Sequence, residues 1–345
     1  MLGKSVPRKD DLAKITGQAR YVGDIALPGM LHGVTVRSPA PRGRIRAIRY
    51  APEIDWHEFT LVTAQDIPAC NVIELIACDQ PCLAETAVSH AEEPVLLIAH
   101  PDRGMAEKAR QSVQVDIEPW PAVLSIEEAL EARHVVWGED NVLKRITLEQ
   151  GEVDRAWGQA ASIWEGQYQT AAQEQLYIEP NGMLAVANPE NGVTVWGSLQ
   201  CPYYVHRALC RLFGLPQHKV RVVQLETGGA FGGKEDYPSM IAGHAALLAW
   251  KSGRPVRLIY DRAEDMAATT KRHPARIRHR TAVSREGKLL AMDIELLMDG
   301  GAYTTVSPVV LSRAVIHAAG VYACPNVRVR GVALATNHPP SGAFR

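Results

Sequence analysis

One stretch constrains this chain most: Val220 to Asp261, VRVVQLETGGAFGGKEDYPSMIAGHAALLAWKSGRPVRLIYD. Val220 to Leu225 alternates and is β-branched, which predicts a strand. Gly228, Gly229, Gly232 and Gly233 then crowd a loop that runs from Thr227 to Glu235. Pro238 suits the first turn of a helix, an apolar run carries that helix to Lys251, and Gly253 stops it. Arg254 to Tyr260 returns as a second strand. A strand, a glycine loop and a helix start gather backbone N–H groups where an anion can sit.

A nucleotide phosphate is the first anion to test. Gly228, four residues and then Gly233-Lys234 match the spacing of a phosphate loop, which makes a nucleotide-binding enzyme one reading. Glu235, however, stands where that loop needs a Ser or Thr hydroxyl for Mg²⁺, and a carboxylate there repels a triphosphate. Ala230 and Phe231 also break G-x-G-x-x-G in either register. Phe231 reads instead as an aromatic held at a pocket rim between permissive glycines, and a plain tight turn is the bland alternative.

The 345 residues, 46% of them hydrophobic, suffice for two sizeable cores. A net charge of −1 gives no footprint for nucleic acid. No apolar run is long enough to span a bilayer, and the opening MLGKSVPRKDDLAK lacks a signal-peptide core, so a cytoplasmic protein is expected. Cys70, Cys78, Cys82, Cys201, Cys210 and Cys324 include no C-x-x-C pair and no zinc-finger spacing. They read as reduced thiols, with a cluster-ligand role for the first three as the weaker alternative. The close on HPPSGAFR reads as the end of a fragment of a longer chain.

Short strands and two helices over residues 1–121 predict a first α+β domain. Within it, Ala19 to Asp24 and Met30 to Arg37 read as β runs, and Pro94 to Ala99 as a buried strand. Residues 122–147 read as a connector with a short helix capped by Ser125, and 148–345 as a second domain. There, Met183 to Ala187 and Val193 to Gly197 pair across an Asn-Gly turn, and Pro202 to Phe213 is helical. Arg276 to Ser284 and Leu289 to Asp299 make another hairpin. The fold class is therefore α+β, a mixed α/β chain.

Four residues stand out chemically. Gln200 lies between a strand and a helix, where an amide either caps the helix or meets a ligand. Glu235 pairs with neighbouring Lys234 at the surface or, if buried, holds a proton. Arg313 is set in the apolar run VVLSRAVIHAAG and needs a partner or a ligand. Arg345 follows the constrained Pro339-Pro340-Ser341-Gly342 and suits an anionic group. His32, His206, His244, His273 and His317 read as packing or surface residues.

These segments resemble, in order, the molybdenum-binding large subunit of the xanthine dehydrogenase and aldehyde oxidase family, over nearly the whole chain. The resemblance starts with Gly3-Lys4-Ser5-Val6-Pro7-Arg8, Lys14 to Tyr21, Asp24-Ile25, Pro28 to His32 and Val36-Arg37-Ser38-Pro39. This part is similar to the family's hammerhead-like domain. It continues with Ile178-Glu179-Pro180, Ser198-Leu199-Gln200, Gly228 to Glu235, Arg254-Pro255-Val256, Asp261 to Met266, Arg272-His273-Pro274 and Gly342-Ala343-Phe344-Arg345.

The resemblance implies a pterin dithiolene carrying molybdenum, with the bare pterin and its cytosine dinucleotide form both open. It implies oxidative hydroxylation of an electron-poor carbon with oxygen from water. By the same resemblance Gln200 meets a molybdenum oxygen, and Gly229, Ala230, Phe231, Gly232 and Arg345 approach the cofactor. Gln200, Phe231 and Arg345 would form the molybdenum environment. Glu235 and Arg313 match the residues with which purine-oxidising members orient the ring and stabilise its charge. Electrons would leave through a [2Fe-2S] subunit and an FAD subunit.

Ser312 stands where purine oxidisers commonly carry Glu, which loosens the substrate assignment. The family's general-base glutamate falls beyond Arg345, so the isolated chain is expected to be inactive until another polypeptide completes the site. A rival reading is a non-catalytic docking subunit.

Overall fold

The computed structural model describes residues 2–345. Helices and four sheets interleave along the chain, in agreement with the mixed α+β expectation. The largest sheet has seven strands, in the order β11 (Val220–Gln224), β10 (Gly192–Gly197), β9 (Gly182–Asn188), β12 (Val256–Ile259), β1 (Leu31–Arg37), β5 (Pro94–His100) and β3 (Thr60–Val62). Strands from both sides of residue 121 thus share one sheet: β1 runs parallel to β12 with Leu31 opposite Val256, and antiparallel to β5. The apolar run of β5 is explained by burial on both faces. Leu97 and Ala99 point into one core cluster, and Leu96 and Ile98 into another.

The first of those clusters is built by α5 (Pro202–Phe213) and α6 (Pro238–Ser252). α6 is apolar nearly all round and buried from Pro238 to Ala249, which makes it a central helix rather than an amphipathic cover. Pro238 occupies its first turn and Gly253 ends it in the left-handed conformation, as expected. On the other side α2 (Arg103–Gln111) packs against β1 and β5, with the Asp102 carboxylate accepting from Met105 N at 2.9 Å.

The second sheet runs β7 (Val142–Gln150), β16 (Val327–Leu334), β15 (Leu289–Asp299), β14 (Ala275–Val283) and β8 (Ser162–Thr170). α8 (Ser307–His317) buries Leu311 and Val315 against it, while α3 (Ile126–Glu131) and α4 (Val153–Trp157) pack near its centre. Charged rungs cross its strands: Arg278 donates to Glu165 at 2.7 Å, and Arg330 to Asp293 at 3.0 Å and Glu295 at 2.8 Å. A small sheet joins β4 (Ala87–Val88), β2 (Gly43–Tyr50) and β6 (Val113–Pro119). A two-stranded one pairs β13 (Lys271–Arg272) with β17 (Ser341–Gly342). Two short helices, α1 (Asp11–Ile15) and α7 (Arg262–Ala268), complete the set.

Two expectations need correction. Ala19 to Asp24 is no strand: Val22–Asp24 forms a 3₁₀ turn, because the Asp24 carboxylate turns back to accept from Tyr21 N at 2.9 Å. The stretch read as connector up to residue 147 already contains the start of β7, whose Val142 pairs with Leu334.

Candidate functional site

The glycine loop is folded around Lys234. This side chain is fully buried, and its Nζ donates to Ser198 Oγ at 2.8 Å and to Glu179 Oε2 at 3.1 Å. It also lies 4.8 Å from the centre of the Tyr177 ring. Glu179 Oε2 takes two further donors, Ser198 Oγ at 2.6 Å and Gly228 N at 2.8 Å. Burial draws the Lys234 pKa down, and the Glu179 carboxylate opposes that. Tyr177 is held in turn: its hydroxyl donates to Asp265 on α7 at 3.0 Å, and Asn181 Nδ2 donates to both. A Cβ at Gly233 would stand 2.6 Å from the Tyr177 ring, so only glycine lets the loop lie on it.

This arrangement removes the phosphate-loop reading. Lys234 points inward and is committed to Glu179 and Ser198, leaving no lysine for a nucleotide phosphate. The expected surface pair between Glu235 and Lys234 is also corrected. Successive residues face opposite ways, and Glu235 pairs with the guanidinium of Arg345.

The outward side collects the other expected residues. Gln200 is no helix cap, since its Oε1 accepts from Gly232 N at 3.1 Å while its own N–H donates to Lys234 O at 2.8 Å. Its NH₂ makes no hydrogen bond among the described residues. Phe231 is half exposed and itself adopts φ +49°, a strained choice for a bulky residue, whereas Ala230 lies outside the left-handed region. Gly232 has φ +99°, and a Cβ there would meet Ala343 O at 2.6 Å. The carboxyl-terminal segment thus lies directly on the loop: Arg345 N donates to Phe231 O at 2.8 Å, and Gln175 Nε2 to Ala343 O at 2.7 Å.

Arg313 does not join this group through any hydrogen bond or ion pair among the described residues. The expectation that it is an embedded charge in need of a partner is corrected: it is exposed on α8, in a stripe with Val309 and Ile316 at helical spacing. Ser312 is satisfied within the helix, donating to Pro308 O at 2.8 Å.

Sequence reasoning missed Asp236. It is buried directly behind Glu235; Oδ1 accepts from Thr270 Oγ1 at 3.3 Å and Oδ2 has no partner among the described residues. Burial pushes its carboxyl up to about 6. Glu179, Ser198 and Tyr177 were also invisible as a set, because only the folded loop brings them to Lys234. His244 and His273 are buried packing residues, as expected. Desolvation holds them neutral, at about 3 and about 4, with His244 facing Cys82 O at 3.0 Å and His273 facing Ser307 Oγ at 2.8 Å.

Among the described residues no three His, Cys, Asp or Glu side chains gather as a metal-holding group, Cys70, Cys78 and Cys82 included. No helix is long and apolar enough to cross a membrane. The outward side offers an unengaged amide NH₂, backbone exposed by glycine, an aromatic and an arginine. Such a donor set fits a cofactor rich in acceptor atoms, with any metal carried inside it.

Comparison with known proteins agrees with that fit. Residues 16–121 match the aldehyde oxidase and xanthine dehydrogenase a/b hammerhead domain, and residues 137–345 match the molybdopterin cofactor-binding domain. A probable xanthine dehydrogenase component from Bacillus subtilis (strain 168) is 35% identical over 98% of this chain and 45% of its own length. The nicotinate dehydrogenase large molybdopterin subunit of Eubacterium barkeri is 33% identical over 100% of this chain and 81% of its own. Aldehyde oxidoreductase from Desulfovibrio gigas superposes with a TM-score of 0.90 at 25% identity, covering 99% of this chain and 39% of that one. Quinoline 2-oxidoreductase from Pseudomonas putida 86 gives 0.88 at 29%, covering 99% and 45%. The chain therefore spans less than half the length of three of these four. With both domain models matched in order, and with the loop, Gln200 and Arg345 brought together, the chain belongs to the xanthine dehydrogenase and aldehyde oxidase family of molybdopterin-binding large subunits.

Proposed function

We propose that this chain is part of a molybdenum hydroxylase that oxidises an N-heterocycle, purine-like in character, or an aldehyde. The observation that carries the reading is the outward side of the loop, where Gln200 NH₂, the Phe231–Gly232 backbone and Arg345 converge. The names of relatives favour a heterocycle, since xanthine, nicotinate and quinoline all appear among them.

When bound, the molybdenum–pterin group supplies two-electron oxidation and activates water as the oxygen source. Gln200 would hold it through the free amide NH₂, and Gly229 to Gly232 with Arg345 would line it through backbone. Glu235 would accept a hydrogen bond from a ring N–H, which fixes the ring's orientation. The Arg345 guanidinium holds that carboxylate at the loop surface until a ring displaces it. Arg313 would stabilise negative charge developing on the ring.

A [2Fe-2S] subunit and an FAD subunit are the electron-transfer partners of this reading. The cytosine dinucleotide form of the cofactor belongs to the same proposal. The six cysteines are unpaired, which suits a reducing compartment, and we place the assembly in the cytoplasm.

Elemental analysis of protein purified from its own host, with whatever co-purifies, tests the reading. About one molybdenum per chain is expected of a mononuclear site. None, with partners present, would leave the family standing and end the catalytic proposal in favour of a docking role. In the completed enzyme Gln200→Ala should lower both turnover and metal content; unchanged values would remove Gln200 from the site.

A further inference from the structure

Away from the glycine loop, a cavity of about 180 Å³ opens between β1, β12, α2 and the start of α7. Its floor follows from strand register. His32 lies opposite Arg257 across the parallel β1–β12 ladder, so the two side chains leave the sheet on one face. Arg103, the first residue of α2, forms the wall above them.

Three carboxylates also line this cavity, and each is already engaged. Glu107 receives Arg110 Nη2 at 2.5 Å and Nε at 2.9 Å. Glu264 Oε1 receives Arg37 Nη2 at 2.9 Å and Nε at 3.0 Å. Asp261 caps α7, accepting from Glu264 N at 2.8 Å.

The cations are different. Arg257 spends only Nη1, on Gly23 O at 2.7 Å and Ile25 O at 3.0 Å. Among the described residues the Arg103 side chain makes no hydrogen bond, and neither guanidinium has a carboxylate within 4.0 Å. The cavity therefore holds two guanidinium groups with no ion-pair partner, beside two carboxylates paired with arginines and a third, Asp261, held by backbone N–H alone. Asp24 and Glu107 act on the two guanidinium groups at longer range. Burial, and then Arg257 and Arg103, draw the His32 pKa down, against an opposing pull from Asp102.

We propose that this cavity is a binding site for a small oxyanion, held between Arg103 and Arg257 with the His32 ring at its edge. Planar guanidinium forks match the paired oxygens of a phosphate or carboxylate, and an anion there gives both guanidinium groups the direct ion-pair partner they lack. The site uses none of the residues of the glycine loop, so its fate is independent of the molybdenum proposal.

The test is a titration of the full 345-residue chain with inorganic phosphate, and separately with acetate, at low ionic strength. The His32 ring is followed by NMR and assigned by its loss in His32→Gln. A saturable shift of that signal, with a rise in the His32 pKa, is expected for at least one of the two anions; the tighter one identifies the head group. Arg103→Met, at an exposed helix start, should weaken that binding about tenfold or more while the fold stays intact. A response that chloride reproduces at equal ionic strength, or one that Arg103→Met leaves unchanged, would overturn the site.

Discussion

Lys234 and Glu235 are neighbours in the chain and opposites in the molecule. The lysine is sealed among Glu179, Ser198 and Tyr177, whereas the glutamate meets an arginine whose side chain is more than half exposed. Both are cation–carboxylate pairs, yet they work under different physics. In the buried pair each charge has been stripped of water and depends on the other, so the loop's path is locked. In the outer pair the arginine stays largely in water while the Glu235 side chain is only 14% exposed, so the pair adds little stability and the arginine is free to give way to a ligand. Scaffold and proposed working surface are thus two sides of one loop.

The largest expected effect is on the inner side. Lys234→Met strands the Glu179 charge in the interior and should cost about 3–5 kcal/mol in chemical denaturation. A loss below about 1 kcal/mol would mean that the loop does not hang on this pair.

Asp236 comes next and its effect depends on pH. Its carboxyl is raised from the ordinary value of 3.8 to about 6, so the folded chain binds more protons than the unfolded chain between those values. That stability is present below about pH 4 and is lost as the pH rises to about 6. Asp236→Asn should remove the loss, leaving the variant relatively more stable above pH 6 by up to about 3 kcal/mol. His244 and His273 bend the curve the other way as the pH falls, identically in both proteins, so the difference between the two isolates Asp236. A difference that does not change with pH would place the proton elsewhere.

Gly232→Ala adds a Cβ against Ala343 O at a left-handed φ, and should cost about 2 kcal/mol by the same denaturation measurement. On the outer side, Glu235→Gln and Arg313→Met should each change stability by less than about 1 kcal/mol. Within a completed enzyme Arg313→Met should depress heterocycle turnover while sparing small aldehydes. Equal losses on both substrates would make Arg313 structural, and a large stability loss in Glu235→Gln would erase the contrast between the two sides.

The strand–loop–helix unit was legible because each part carries its own local signal: β-branched alternation, glycines, Pro238 and Gly253. Gln200, Phe231 and Arg345 were legible through motif order, and the structure brings them together. Lys234 was misassigned because its partner, Glu179, lies 55 residues away, and no local rule separates a buried lysine from a surface one. Asp236 escaped notice for the same reason, since its burial is created by Thr270 and neighbours from distant segments. The strands Gly43–Tyr50 and Val327–Leu334 alternate arginine with apolar residues over only part of their length, at Arg44 and Arg46 and at Arg328 and Arg330, and those charges mask a period of two. Arg313 misled because its apolar neighbours Val309 and Ile316 are exposed as well.

The parallel pairing of β1 with β12 carries a consequence for biosynthesis. β1 leaves the ribosome more than two hundred residues before the strand that will flank it, an interval on the order of ten seconds or longer at ordinary elongation rates. Throughout that time one edge of the nascent sheet is open to any other strand nearby. Yield in a foreign host should therefore depend on chaperones that bind emerging chains. A circular permutant that brings the two strands close in sequence should fold sooner and need them less.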